Sequence, residues 1–242
     1  MKYFYSFMQK MIEYRYRKNK GINIYMFHQV NQDRKNWLDS HVCITEESFK
    51  KFIYGLKKAN TRFLSVKDLG RVKNNLENVP SAVLTFDDIF EDAYKYAFPI
   101  LKENNIPYCV FITENYIDKK GYITTQELNN LLEEPLCTIG YHSKNHILMR
   151  KLSNEKISDE IECCEFEEKI GKKISYFAFP YGSVYACSKK SIKIAKDKNY
   201  KLIFSTVSVP CTQLWIEKGK SFIPRINVNE ENYEKLLERI RL

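Results

Sequence analysis

Two adjacent carboxylates, Asp87 and Asp88, follow the apolar run AVLTF. Adjacent acids repel each other unless a cation or a proton separates their roles, so one can bind a metal ion while its neighbour accepts a proton. The alternative is that Asp88 or a neighbour caps the helix predicted over EDAYKYAFPILKENN. The pair alone leaves both interpretations open.

Two of the four histidines, His142 and His146, are separated by three residues in the segment LCTIGYHSKNHILM. At this spacing on a helical turn, both imidazoles face one way and can bind one metal ion. With Asp88 they form a set of two histidines and one carboxylate, which holds a catalytic metal while leaving positions for water and substrate. These donors suit one divalent ion, zinc first, with cobalt, nickel or ferrous iron as alternatives. A solvated pair of histidines without a metal is the competing interpretation.

A third segment, YFAFPYGSV, contains Pro180 and Gly182 directly after an apolar run. A backbone bent at these residues can present an N–H group to an oxyanion. A plain turn explains them equally well. The segment therefore indicates an oxyanion site only in combination with the other two motifs.

The motifs TFDD, HSKNH and FAFPYG, in that order, resemble those of the polysaccharide deacetylase family, the NodB homology domain or fourth carbohydrate esterase family. The flanking segments PYCVFIT, YITTQELNNLL and IPRINV agree, and the resemblance extends over residues 22–228. It implies a deformed (β/α) barrel that uses one divalent metal ion to hydrolyse N-acetyl groups of amino sugars. By motif position, the metal would be held by Asp88, His142 and His146. Asp87 would be the general base.

The same resemblance assigns the remaining catalytic roles, with departures from the common pattern. Tyr181 would offer its backbone N–H to the oxyanion. The late Leu-x-x-His motif that provides the general acid is absent, but MFHQV resembles circularly permuted members with an N-terminal histidine, so we assign the acid to His28. A structural, hydrogen-bonded histidine is the alternative. The family's usual glycine after the acid pair is Ile89 here. The arginine that usually contacts the base aspartate is missing from FAFPYG. Arg225 is expected to replace it by pairing with Asp87. A salt bridge between Arg225 and an acid on a nearby helix is the alternative.

Seven apolar runs of strand length alternate with helical segments. The runs are residues 22–28, 82–86, 108–113, 136–140, 175–179, 201–205 and 221–226. Near-continuous apolar strands are buried on both faces, so they predict a parallel sheet covered by helices. The helical segments include one with an apolar face at Phe49, Phe52, Ile53 and Leu56, and one that begins near Ser153 and is expected to bury Cys164. The alternation predicts one α/β domain over residues 21–242, either an open doubly wound sheet or a (β/α) barrel, with the motifs at the carboxyl ends of the strands. The family resemblance implies the barrel, of about seven parallel strands.

Residues 1–20 stand apart from this domain as a basic amphipathic extension. Their apolar positions are Tyr3, Phe4, Phe7, Met8, Met11 and Ile12, and the segment ends in the basic residues Arg15, Arg17, Lys18 and Lys20. Such a helix can bind peripherally to an anionic membrane surface. Packing on the barrel is the alternative interpretation.

The composition of the 242 residues, with 44% apolar residues and 14% aromatic residues, is that of a globular protein. A net charge of +9 favours anionic partners, although a soluble lysine-rich surface explains it as well. Nucleic acid is not expected, because no basic aromatic stripe or known module is found. The sequence lacks an apolar run of about 18 residues and a signal peptide, and its seven cysteines show no C-x-x-C spacing, so we expect a cytoplasmic protein with reduced thiols.

The leading hypothesis is therefore a metal-dependent hydrolase that removes N-acetyl groups from an amino sugar in a glycan or glycan precursor, in surface polysaccharide synthesis. An O-deacetylase with the same metal site is one alternative. A catalytically silent carbohydrate-binding barrel is the other, motivated by Ile89 and by the absence of a late histidine.

Overall fold

The computed structural model describes residues 2–17, 21–33, 41–69, 79–213, 215–216 and 221–240. The strands are β1 (Asn23–Phe27), β2 (Gln29–Asn31), β3 (Cys43–Thr45), β4 (Arg62–Phe63), β5 (Ser81–Asp87), β6 (Tyr108–Ile112), β7 (Cys137–Tyr141), β8 (Tyr176–Ala178), β9 (Leu202–Phe204), β10 (Ser221–Ile223) and β11 (Ile226–Asn227). The α-helices are α1 (Lys2–Tyr16), α2 (Glu46–Lys58), α3 (Phe98–Glu103), α4 (Thr125–Glu133), α5 (Asn154–Ile161), α6 (Cys164–Ile170), α7 (Lys189–Asp197) and α8 (Tyr233–Ile240). A π-helical turn (Ala93–Ala97) leads into α3, and 3₁₀ turns lie at Glu114–Tyr116 and Met149–Lys151.

The main sheet is parallel throughout. Its strand order is β10-β9-β8-β7-β6-β5-β1-β11, and β4 pairs with the beginning of β5. β2 and β3 form a separate parallel pair. The sheet curls into a half-barrel, which confirms the predicted single α/β domain with a deformed (β/α) barrel.

The last predicted strand, residues 221–226, is instead two short strands on opposite edges of the sheet, so the prediction of one continuous strand is wrong. β10 pairs with β9, whereas β11 pairs with β1. Pro224 and Arg225 lie between them, and proline interrupts a strand because it has no N–H for the ladder. The segment therefore bridges the two edges of the half-barrel and places Arg225 at this seam.

Side chains of the central strands alternate between two cores, because successive residues of a strand point to opposite faces. On β5, Leu84 and Phe86 pack in the core shared with the helices, whereas Val83 belongs to the core inside the curled sheet. Thr85 and Asp87 share the inner face with Val83. Both faces of β5 are buried, as its apolar sequence predicted, and polar side chains replace apolar ones on the inner face toward the carboxyl end.

The helices confirm one sequence prediction and correct another. The apolar face of α2 is buried, including Phe49 and Phe52. The helix predicted from Ser153 is two short helices, α5 and α6. Cys164 is exposed, so its predicted place in the core is wrong: the break after Ile161 interrupts the periodicity on which that prediction relied.

α1 is the longest described helix, with 15 residues. Neither α1 nor any other helix in the described part of the chain has both the length and the apolar character needed to cross a bilayer.

Candidate active site

The two adjacent aspartates lie at the carboxyl end of β5. Asp87 is its last residue and is almost fully buried. Asp88 and Ile89 both have positive φ angles, 68° and 60°, in the region that glycine adopts without cost and a β-branched residue disfavours. Ile89 is buried in the core, and this burial offsets the strain. Helical structure begins only at residue 91, so the interpretation of Asp88 as a helix cap is wrong.

His142 directly follows β7, and its orientation is fixed by backbone contacts. Its backbone N–H donates to Ile112 O at 2.7 Å. Its ring Nδ1 lies 2.8 Å from Ala178 O, so Nδ1 carries the proton and donates it to this carbonyl. The lone pair of Nε2 is consequently free to bind a metal ion.

His146 reaches the same place from a loop, which corrects the predicted helical turn. Ser143 and His146 have φ angles of 73° and 54°, and the His146 N–H donates to Ser143 Oγ at 2.9 Å. The ring centroids of His142 and His146 lie 5.0 Å apart. The four-residue spacing thus brings the two imidazoles together through left-handed residues rather than through a helix.

Glu160 holds this loop from α5. The buried Glu160 carboxylate accepts hydrogen bonds from the Asn145 backbone N–H at 2.9 Å and from its side-chain amide at 2.6 Å. Sequence reasoning did not find this residue. A signal existed, since Glu160 falls on the apolar face of α5 defined by Ile157 and Ile161, where an acid needs a partner.

Replacing Glu160 by glutamine is expected to weaken metal binding about tenfold, the lower end of what loss of an outer hydrogen-bonding partner costs a metal site. One oxygen of the carboxylate becomes an amide that cannot accept a bond, so the loop carrying His146 is held less firmly. Zinc titration against a competing chelator measures the effect. Glu155→Gln, an exposed acid on the same helix, is the control and should bind zinc like the wild type. Equal affinity in the two variants would contradict this role of Glu160.

Asp88, His142 and His146 can hold one metal ion. Their ligand atoms all lie within 4.8 Å of one another. Asp88 Oδ1 is 3.6 Å from His142 Nε2 and 3.2 Å from His146 Nε2. The same oxygen is buried and accepts no hydrogen bond from the described residues. A buried carboxylate oxygen without a donor fits a cation, and two imidazoles with one carboxylate are a donor set for a divalent transition metal.

The protonation states of the two histidines and Asp88 also favour metal binding. Burial lowers the pKa of His142 to about 3 and also lowers the pKa of His146. Both rings are therefore neutral near pH 7, in the form that binds metals. Burial raises the pKa of Asp88 to about 6, against the opposing charge of His28, and a bound cation would favour its ionised form.

Arg225 forms a two-point ion pair with Asp87. Its two terminal nitrogens donate to Asp87 Oδ1 and Oδ2, each at 2.7 Å, and its Nε donates to Ser205 O at 3.0 Å. Arg225 is fully buried, and its guanidinium lies 5.2 Å from the Phe111 ring centroid. Burial alone would raise the pKa of Asp87, but Arg225, followed by His142, outweighs it and lowers this pKa below its usual range. Asp87 is thus ionised and fixed in orientation.

His28 stands beside the aspartates at the end of β1. Phe27 and Phe86 are paired across β1 and β5, so the next residues, His28 and Asp87, are neighbours at the strand ends. His28 Nδ1 is buried and has no hydrogen-bond partner among the described residues. The charge of His28 lowers the pKa of both Asp87 and Asp88.

Tyr181 follows β8 and lies next to the metal-binding residues. Its ring centroid is 4.9 Å from that of His146, and its side chain is 58% exposed. Its φ angle is 60°. Its carbonyl accepts a hydrogen bond from Thr206 Oγ1 at 3.1 Å, while its N–H has no acceptor among the described residues. This N–H is therefore available at the rim of the site.

Aromatic side chains form one wall beside His146. Tyr116 lies 6.1 Å from the His146 ring and 4.5 Å from Tyr122, which stacks on Phe90 at 5.1 Å. With Tyr181 they surround His146 with rings. Such surfaces suit contact with the apolar faces of a sugar.

A parallel half-barrel that gathers a carboxylate and two imidazoles around one point, beside an ionised aspartate, is equipped for hydrolysis. The chain belongs to the polysaccharide deacetylase family: residues 75–203, more than half of its length, match the family model described as polysaccharide deacetylase. His28 and Arg225 lie outside the matched residues.

Relatives extend the similarity along the chain. The poly-beta-1,6-N-acetyl-D-glucosamine N-deacetylase of Staphylococcus aureus is 24% identical over 243 residues, covering 93% of this chain and 80% of the relative. The enzyme of the same name from Staphylococcus epidermidis is 24% identical over 212 residues, covering 81% and 71%.

Solved structures share the fold. Streptococcus pyogenes deacetylase PplD in complex with acetate has a TM-score of 0.78 at 20% identity, covering 91% of this chain and 98% of that one. IcaB from Ammonifex degensii has a TM-score of 0.77 at 19% identity, covering 94% and 100%.

Proposed function

We propose that this protein is a metal-dependent hydrolase that removes N-acetyl groups from a polymer of N-acetylglucosamine, in surface polysaccharide synthesis. The observation that carries the proposal is the buried, donor-free Oδ1 of Asp88 between two neutral imidazoles, directly beside the ionised Asp87. The substrate class is supported by the names of the relatives that match 93% and 81% of the chain. Zinc is the proposed ion, with cobalt or nickel as alternatives.

Asp88, His142 and His146 would hold the ion. When bound, it lowers the pKa of a water molecule and polarises the acetamide carbonyl. Asp87 accepts the proton of the attacking water as the new C–O bond forms, and Arg225 keeps the Asp87 carboxylate in place. The pairing makes Asp87 a weak base that is ready in its ionised form at neutral pH.

Two further groups act on the other atoms of the acetamide. The Tyr181 N–H donates to the oxygen that gains negative charge. His28 gives a proton to the leaving nitrogen as the C–N bond breaks, so that acetate and a free amino sugar are the products. The aromatic wall of Tyr116 and Tyr122 would contact the sugar ring.

The test is to load the protein with zinc, cobalt or nickel, confirm about one ion per chain, and incubate it with β-1,6-linked N-acetylglucosamine oligomers. Equal amounts of acetate and free amine are expected. His28→Ala should lower this release about 100-fold, a typical loss for a general acid. Its hydrolysis of an acetate ester should fall much less, because an alcohol leaves with less help from an acid.

Several outcomes would overturn the proposal. Metal-loaded protein that binds the oligomers but releases neither product would support a catalytically silent barrel. Acetate release from O-acetylated sugars alone would support an O-deacetylase. Full activity of His28→Ala on the amide would remove His28 from the mechanism.

A further inference from the structure

α1 is hydrogen-bonded to the barrel by two polar side chains, on a side of the helix that also carries three half-buried residues, Tyr5, Ile12 and Tyr16. Gln9 Oε1 accepts a hydrogen bond from the Val184 N–H at 3.0 Å, and Glu13 Oε1 accepts one from the Ser208 N–H at 3.0 Å. The Gln9 amide also donates to Glu13. These contacts hold the helix against the loops that follow β8 and β9. An amphipathic helix that packs on a core buries its apolar face, whereas α1 leaves most of its large apolar side chains exposed.

Most of the large apolar side chains of α1 face away from the barrel. Positions three and four apart lie on one side of a helix, and this spacing places the following large side chains opposite Gln9 and Glu13: Tyr3, Phe4, Phe7, Met11 and Tyr14. Their exposed fractions run from 56% for Met11 to 91% for Tyr3. We call these five residues the outer stripe. No residue of α1 is buried.

Cations border the outer stripe. Lys10 and Arg17 lie along one side of it and Arg15 along the other, by the same helical spacing. The only acid of α1 is Glu13, which is turned toward the barrel by its bond to Ser208. The outward surface therefore combines aromatic side chains with positive charge and contains no carboxylate.

We infer that the outer stripe docks α1 on the surface of an anionic phospholipid bilayer. Aromatic and sulfur-containing side chains enter the boundary between headgroups and acyl chains, while the bordering lysine and arginines meet lipid phosphates. A second copy of this chain is a poorer occupant, because the same face would bring Lys10, Arg15 and Arg17 against identical cations. Because the outward side of α1 has no carboxylate to pair with these cations, an anionic bilayer fits it better than a second copy of the chain.

The docking surface lies beside the active-site rim. Tyr5 of α1 contacts Tyr185 at 5.9 Å, and the Arg150 guanidinium lies over both rings, 4.3 Å and 4.9 Å from their centroids. Tyr185 belongs to the same loop as Tyr181. A bilayer bound by the outer stripe would thus lie one helix diameter, roughly 10 Å, from this loop. If the proposed function holds, the polymer is deacetylated close to the membrane, but lipid binding itself does not depend on that function.

The experiment is flotation of the full chain with vesicles of phosphatidylcholine containing 30% phosphatidylglycerol, against vesicles of phosphatidylcholine alone. The wild type should float with the anionic vesicles and bind the neutral ones at least about tenfold more weakly. The triple variant Phe4→Ser, Phe7→Ser, Met11→Ser should lose at least about tenfold in partitioning. Arg15→Gln with Arg17→Gln should lose about fivefold for each cation removed.

Tyr54→Ser is the matched control, because Tyr54 is an equally exposed aromatic residue on α2, 68% exposed. It should float like the wild type, and equal thermal midpoints would show that all variants are folded. Wild type that stays in the lipid-free fractions would overturn the inference. So would sedimentation of a dimer without lipid that the triple variant abolishes, since the stripe would then be covered by a second copy.

Discussion

Replacing Arg225 by methionine is expected to destabilise the protein by about 3–5 kcal/mol, the cost of leaving one partner of a buried ion pair without the other. Asp87 is almost fully buried, and Arg225 donates to both of its oxygens at 2.7 Å. Methionine keeps much of the side-chain volume between Phe111 and Phe204 but supplies no donor. Urea unfolding, measured with a chelator present so that metal binding does not contribute, determines the change.

A double-mutant cycle separates the charge from the packing. Asp87→Asn alone leaves the Arg225 guanidinium buried beside a neutral amide and should also be destabilising. The combined variant, Arg225→Met with Asp87→Asn, should recover much of the loss, because no unpaired charge remains. Arg62→Met, at an exposed arginine of β4, should change the unfolding free energy by less than about 1 kcal/mol. Additive effects of the two changes would contradict the direct coupling of Asp87 and Arg225.

The sequence predicted six of the central strands, β1 and β5 to β9, to within one or two residues of their observed ends. A run such as AVLTF is apolar at every position because both faces of β5 are covered, and a parallel sheet places all its carboxyl ends at one edge. Asp87 and His142 were therefore expected at the same edge, and their side chains lie 3.7 Å apart. The same rule placed Arg225 near the site, although the sequence left open whether Asp87 or a helix acid would be its partner.

Three features of the structure depend on contacts between residues far apart in the sequence, and the spacing of apolar residues does not predict such contacts. The split of the last strand follows from closure of the half-barrel, because β10 finds β9 and β11 finds β1. The loop that carries His146 is shaped by Glu160, 15 positions after Asn145. The spacing of apolar residues in α1 predicts an apolar face but not whether that face contacts the barrel or solvent. The outer stripe is turned outward because Gln9 and Glu13 bind backbone N–H groups of the barrel, whereas Ile12 of the predicted apolar face is half-buried.

Removing one imidazole from the metal set is expected to have the largest effect on activity. Wild-type protein incubated with zinc should contain about one ion per chain by elemental analysis. His142→Ala and His146→Ala should each weaken zinc binding more than about 100-fold, beyond the loss of an outer partner. Acetate release should then fall to that of chelator-treated wild type. Two variants are needed because His142 is buried and hydrogen-bonded to the carbonyl of Ala178, so its loss also disturbs packing. The side chain of His146 is 16% exposed, and its loss disturbs packing less.

His41→Ala is the matched control, since His41 is an exposed histidine near Glu231, with 74% of its side chain accessible. It should retain both the ion and the activity. Stoichiometric zinc in His142→Ala and His146→Ala would show that the ion binds elsewhere. Wild type that takes up no zinc, cobalt or nickel would mean that the two histidines and Asp88 persist without a metal. The protein would then act as a sugar-binding barrel, with the Asp87–Arg225 pair contributing only to its fold.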